Sequence, residues 1–232
     1  MIRILLMTIW SILCISTSLI VLVITFSRKT PLIMARTVWS PIILWLANTK
    51  TSITGLEHIE KDKTYIVVSN HLSYLDIPTL FRILPLNLHF IAKHQLKKAP
   101  FIGWYMRATG MIFINRENGR AAAKSLDEAA LLIKNGKTVL IFPEGTVSED
   151  KKIKRFKKGG FSLALKSGIE ILPLSLKGTS DIWPVDSNTT FNKGTVTVNI
   201  GKPISIKNYS PTQLNELTND VQTEIERLQN LN

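Results

Sequence analysis

The sequence predicts an α/β fold, with a mixed, largely parallel sheet flanked by helices and preceded by an N-terminal hydrophobic helix of membrane-anchoring type. Three observations carry this expectation. After Gly55, short apolar runs of strand type alternate with segments of helical period. Residues 4–26 hold no charged side chain and are rich in Ile, Leu and Val. The chain of 232 residues is 45% hydrophobic and has one cysteine, Cys14. That composition suits a sizeable core and excludes a disordered chain, a disulfide framework and a multi-cysteine metal centre.

Taken in order, residues 4–26 come first. At about 1.5 Å per residue, a helix of this length reaches across roughly 30 Å of hydrocarbon. A cleaved signal peptide would have an apolar region of about 7–15 residues and a small-residue cleavage site. This run is longer and ends in Thr25-Phe-Ser-Arg-Lys29. Residues 38–47, with Pro41, Trp39 and Trp45, are too short to span and suit an interfacial or re-entrant helix. Residues 1–50 therefore read as a membrane anchor with an interfacial segment, and residues 51–232 as the domain that follows. Arg28, Lys29, Arg36 and Lys50 come after the apolar run, against Arg3 before it. The positive-inside rule then turns the domain toward the cytoplasm, and these bases should attract anionic membrane lipid.

Within the domain, residues 65–69 form the first strand-type run. Residues 76–84 follow as a helix whose first turn tolerates Pro78. Residues 88–92 and 111–114 read as strands, with a short helix over 101–108 between them. Over 119–135, Leu126, Ala129, Ala130 and Ile133 share one helical face, and Asn135-Gly136 stops the helix. Residues 138–142 and 171–176 are strands on either side of a short helix at 161–166. Residues 194–200 alternate Val196, Val198 and Ile200 on one face, as a half-buried strand does. The last helix opens with Ser210 as cap, Pro211 at N1 and Gln213 closing a capping box, and its apolar face is Leu214, Leu217, Val221 and Leu228.

The net charge of +12 points to polyanionic partners. Six of the eight residues 151–158 are basic, which is either a solvated loop or a phosphate-binding surface. Among side chains able to do chemistry, His71 follows the first strand and Asp76 comes five residues later. On a continuous helix the two would not face each other, but at a strand-to-helix turn they can meet. Histidine is the natural general base near neutral pH, and an aspartate can fix its tautomer and stabilise the imidazolium. Alone, such a pair is more often a loop histidine and a helix cap.

Three further segments change that balance. Lys93-His-Gln-Leu-Lys-Lys-Ala-Pro-Phe-Ile-Gly103 leads to Phe113-Ile-Asn-Arg116. Phe142-Pro-Glu-Gly-Thr-Val-Ser148 comes next, and Phe156-Lys-Lys-Gly159 is followed by Leu172-Pro-Leu174. With Asn70-His-x4-Asp76, these four motifs stand in the order and spacing of the glycerophospholipid acyltransferases over roughly residues 50–205. The chain resembles that family, in particular its 1-acylglycerol-3-phosphate acyltransferases. The resemblance implies transfer of an acyl group from a thioester of coenzyme A or acyl carrier protein to the hydroxyl of a lysophospholipid. It implies His71 as base, Asp76 as its support, Lys93 and Arg116 on the acceptor's phosphate, and Glu144, Gly145 and Thr146 shaping the acceptor site. No metal or cofactor is implied, since the thioester is a substrate.

One position departs from the family pattern. Arginine commonly follows Glu-Gly-Thr, and here the residue is Val147. Either Lys151, Lys152, Lys154 and Arg155 supply the missing charge, or the acceptor is a different lysolipid. A non-catalytic domain binding anionic lipid or nucleic acid is the reading from another class. The nucleic-acid version lacks an aromatic-interleaved basic motif, so no nucleic acid is expected. The sequence has no Walker A loop, no Gly-x-Gly-x-x-Gly and no His-Glu-x-x-His, and His89 and His94 read as structural.

Overall fold

The apolar runs pair into one mixed sheet in the computed structural model, which describes residues 1–115, 119–148, 150–186 and 190–231. Three helices come first: α1 (Ile2–Thr25), α2 (Lys29–Met34) and α3 (Ser40–Leu46). Then follow β1 (Thr49–Thr54), β2 (Ile66–Ser69), α4 (Asp76–Ile83), β3 (His89–Lys93), α5 (Ile102–Ala108) and β4 (Ile112–Ile114). The remainder is α6 (Gly119–Lys134), β5 (Val139–Ile141), α7 (Gly159–Ser167), β6 (Ile171–Lys177), the short α8 (Thr179–Ile182), β7 (Gly194–Ile200) and α9 (Leu214–Gln229). Among the described residues the sheet has seven strands in the order β1-β7-β6-β2-β5-β3-β4. Only β6 and β7 pair antiparallel; every other neighbouring pair is parallel. This is the mixed, largely parallel sheet the sequence predicts.

Strand alternation splits the core into two layers. Tyr65, Val67, Leu140, Leu174 and Val196 face a layer shared with α4 through Leu80, Phe81 and Ile83, and with the N-terminal helices through Met7, Leu32, Ala35 and Ile43. Ile66, Val68, Val139, Ile141 and Ile171 face the other, covered by α6, α7 and α9 through Ala129, Ile133, Phe161, Leu217, Val221 and Ile225. Burial on both sides explains why β2 and β5 read as unbroken apolar runs. The capping box at the start of the last helix is formed, with the Ser210 N–H donating to Gln213 Oε1 at 2.9 Å.

Two elements differ from the sequence expectation. β1 was not foreseen, because its one apolar residue is Ile53. It is an edge strand rich in threonine, held in register by β7 from Thr49 opposite Gly194 to Thr54 opposite Asn199. The interfacial segment is also longer than residues 38–47. The chain is helical from Lys29 to Leu46, with a π-helical turn at Ala35–Trp39. That wide turn precedes Pro41, which has no N–H to give, and Ser40 directs its N–H and its hydroxyl (2.6 Å) to the Ala35 carbonyl.

α1 is long and apolar enough to cross a membrane. One of its faces is docked along the rest of the molecule. Trp10 Nε1 donates to the Trp39 carbonyl (3.3 Å), Trp39 Nε1 donates to Ser11 Oγ (2.9 Å), and Arg3 reaches the Phe191 carbonyl (3.5 Å). Its other face exposes Leu5, Leu6, Ile9, Leu13, Ile20 and Val23.

Candidate active site

The carboxyl end of β2 sets the site, as is usual for ligand sites in parallel sheets. Asn70 continues the strand by proxy. Its side chain donates to the Leu176 carbonyl (2.9 Å) and accepts from the Leu176 N–H (2.8 Å), fixing the turn against β6. His71 comes next, and Asp76 opens α4. Asp76 is fully buried, and its Oδ2 accepts from the N–H groups of Leu72 (2.7 Å) and Ser73 (2.9 Å). The same oxygen lies 2.7 Å from His71 Nδ1. The strand-to-helix turn thus brings together the two residues that a continuous helix would separate. With Nδ1–H committed to Asp76, Nε2 is the ring nitrogen left for a substrate.

A second loop, between β5 and α7, braces the histidine. The His71 ring stacks on Phe142, with centroids 4.0 Å apart and planes within 14°. The His71 N–H donates to Glu144 Oε1 (2.8 Å), and the Ser148 N–H donates to the His71 carbonyl (2.8 Å). Glu144 Oε2 accepts from the Lys154 N–H (2.9 Å), so this buried carboxylate ties the loop's own basic stretch to the histidine. Burial pushes the Glu144 carboxyl up, against the lowering pull of those two N–H bonds.

His71 stands in the wall of a cavity of about 830 Å³. Lys93 and Gly145 share that wall, and the rest is mainly apolar, including Ile15, Val38, Phe81, Leu96, Ile102 and Met106. Lys93 ends β3 and is exposed, as is Thr146, the residue after Gly145. Glu144 lies behind the histidine and is not part of the cavity wall. Arg116, the remaining candidate, lies outside the described residues.

Val147 is half-buried and brings no charge. The structure places a different cation nearby. Gly145 has φ of 80°, and a Cβ there would sit 2.6 Å from Lys157 Nζ. Lys157 is held by its N–H, which donates to the Pro143 carbonyl (2.9 Å). Nothing local marks Lys157 among the six bases of its run; only the fold returns it to Gly145. Lys151, by contrast, is paired with Asp181 at 2.5 Å. Among the described residues no cluster of His, Cys, Asp and Glu could hold a metal ion.

An α/β sheet carrying a buried-aspartate–histidine pair at a strand's carboxyl end, with an apolar cavity beside it, defines the class. A family model described as Acyltransferase matches residues 50–177, and the chain belongs to that family. A solved structure, the 1-acyl-sn-glycerophosphate acyltransferase of Thermotoga maritima, superposes with a TM-score of 0.81 at 32% identity, over 97% of this chain and 94% of that one. A 1-acyl-sn-glycerol-3-phosphate acyltransferase of Borreliella burgdorferi is 32% identical over 79% of this chain and 73% of its own length. A chloroplastic enzyme of that name from Brassica napus is 41% identical over 67% of this chain. The chain spans about half the length of such plant relatives, 45% in that case.

Proposed function

We propose that this protein is an O-acyltransferase that moves a fatty acyl group from a thioester, of coenzyme A or acyl carrier protein, to the free hydroxyl of 1-acylglycerol-3-phosphate, giving phosphatidic acid. The observation that carries this reading is the 2.7 Å His71 Nδ1–Asp76 Oδ2 contact in the wall of the apolar cavity. His71 Nε2 takes the proton of the acceptor hydroxyl as its oxygen attacks the thioester carbonyl. Asp76 stabilises the imidazolium that forms. Collapse of the tetrahedral adduct breaks the carbon–sulfur bond, and the proton passes from the imidazolium to the departing thiolate. The only cysteine, Cys14, is on α1 and no acyl-enzyme is required. The cavity takes an acyl chain, each buried methylene contributing roughly 0.8 kcal/mol.

For the acceptor's phosphate, Lys93 shares the cavity wall with His71 and Gly145, Lys157 Nζ lies against Gly145, and Arg116 is assigned by the family resemblance. Lys157 makes up for the arginine absent at Val147, and this favours a phosphomonoester over a different lysolipid. The protein works attached to one leaflet of a membrane through the exposed apolar face of α1, with the domain on the cytoplasmic side and the bases that follow that helix meeting anionic lipid.

The test is acceptor kinetics with purified protein in detergent, acyl-CoA and a panel of lysolipids. Lysophosphatidic acid should be the preferred acceptor. Lys157→Ala should raise its KM about tenfold or more, since a charge-assisted phosphate contact contributes roughly 1.5–3 kcal/mol, while the KM for acyl-CoA changes little. Val147→Arg should recover most of that loss in the Lys157→Ala background. Preference for a lysolipid lacking a phosphomonoester, unaffected by Lys157→Ala, would overturn the acceptor assignment.

A further inference from the structure

Between β3 and α5 the chain makes a 3-10 turn at His94–Lys98 and then bends at Phe101. Phe101 has φ 55° and ψ −67°, and the Ile102 N–H reaches the Pro100 carbonyl at 2.6 Å. This is the strained hand of the γ-turn, unfavourable for a bulky residue and kept only where the surroundings enforce it. They do so here by close packing. Gly103 is seated so tightly that a Cβ on it would lie 2.5 Å from the Leu96 carbonyl oxygen.

The strain holds apolar side chains in solvent. Leu96, Phe101, Ile102 and Trp104 are each between 41% and 45% exposed, and the rings of Phe101 and Trp104 lie 5.2 Å apart. Lys98 and the exposed Arg107 flank them. An aromatic pair among aliphatic residues with bases alongside is the composition of an interfacial membrane segment. The patch does not stand alone. α5 packs on α1, whose outer face is apolar and exposed, so the patch lies on an element neighbouring that face. Leu96 and Ile102 also line the cavity that holds His71.

We propose that residues 96–104 dip into the same leaflet as α1 and form a lateral portal, through which the acyl chain of a membrane lipid slides from the bilayer into the cavity. The occupant of this surface is the bilayer itself, with anionic headgroups meeting Lys98 and Arg107. The proposal rests on the membrane attachment stated above and adds a second point of insertion with a role in substrate access.

The experiment uses full-length protein bound to vesicles of phosphatidylcholine and phosphatidylglycerol. Because Cys14 is the only cysteine, a Cys14→Ser background allows an environment-sensitive fluorophore to be placed by Phe101→Cys, Leu13→Cys or Lys134→Cys. Nitroxide-bearing lipids should quench the probes at 101 and 13, and not the probe at 134. Quenching at 13 without quenching at 101 would overturn the portal and leave membrane attachment standing. Quenching at neither would overturn both. In the second arm, Phe101→Ser with Trp104→Ser should raise KM for lysophosphatidic acid presented in vesicles about tenfold or more, and leave turnover of a soluble short-chain analogue unchanged. Equal losses on both acceptors would reduce the segment to a structural element and refute the portal.

Discussion

His71 can act as a base on one ring nitrogen only if the other is held, and Asp76 holds it. Asp76→Asn keeps the shape of the turn and removes the charge that steadies the imidazolium. It should lower turnover by about 10²–10⁴-fold while leaving the far-ultraviolet circular dichroism unchanged. A second histidine affects stability. His89 opens β3 with Nδ1 3.1 Å from the Thr138 carbonyl, and burial, helped by the nearby Lys137 ammonium, pushes its pKa down to about 4. The unfolded chain, with histidine near 6.5, then binds the proton that the folded one refuses. This contribution is fully present above pH 6.5 and is lost as pH falls toward 4, by up to about 3 kcal/mol. Thermal unfolding at pH 7 and pH 5 should show the loss, and His89→Gln should flatten it. The His71–Asp76 pair was legible in the sequence because spacing and residue type state it. Lys157 was not, because its place depends on a loop returning across Gly145, and nothing local in a run of six bases marks one of them.

At the scale of elements, α1 is both a membrane candidate and part of the cavity. Ser11, Cys14, Ile15 and Ser18 line the same space as His71, and Met7 belongs to the core. Removing residues 1–25 should therefore do more than release the protein from membranes. It should unroof the cavity, lower the melting temperature and abolish acyl transfer even with a short-chain soluble acceptor. A truncated protein that keeps its melting temperature and its short-chain activity would show that α1 only tethers. Strands buried on both faces, such as β2 and β5, were readable as apolar runs, and α6 and α9 as amphipathic helices with clear stop and cap signals. β1 was hidden because an edge strand of threonines meets water on most of its length and shows no hydrophobic period. The full extent of α2 and α3 was hidden because Pro31 and Pro41 look like breaks, while Pro41 follows a π-helical turn that absorbs its missing N–H.

For the molecule as a whole, charge and apolar surface act together. With a net charge of +12 and an exposed apolar helix face, binding to anionic vesicles should have a salt-sensitive part and a salt-resistant part. Raising salt to 1 M should weaken attachment of full-length protein to phosphatidylglycerol vesicles without releasing it, and complete release would contradict insertion of α1. The fold class followed from the alternation of strand and helix, but the convergence of His71, Lys93 and the Phe142–Gly145 loop on one cavity is a property of the folded chain. The central claim is that this convergence is an acyltransferase site worked by His71. The direct measurement is the rate of phosphatidic acid formation from acyl-CoA and lysophosphatidic acid, by purified wild type and His71→Ala matched for circular dichroism and melting temperature. Wild type should form the product, and His71→Ala should be slower by about 10²–10⁴-fold with little change in the KM of either substrate. Turnover by His71→Ala within a few-fold of wild type would contradict the account.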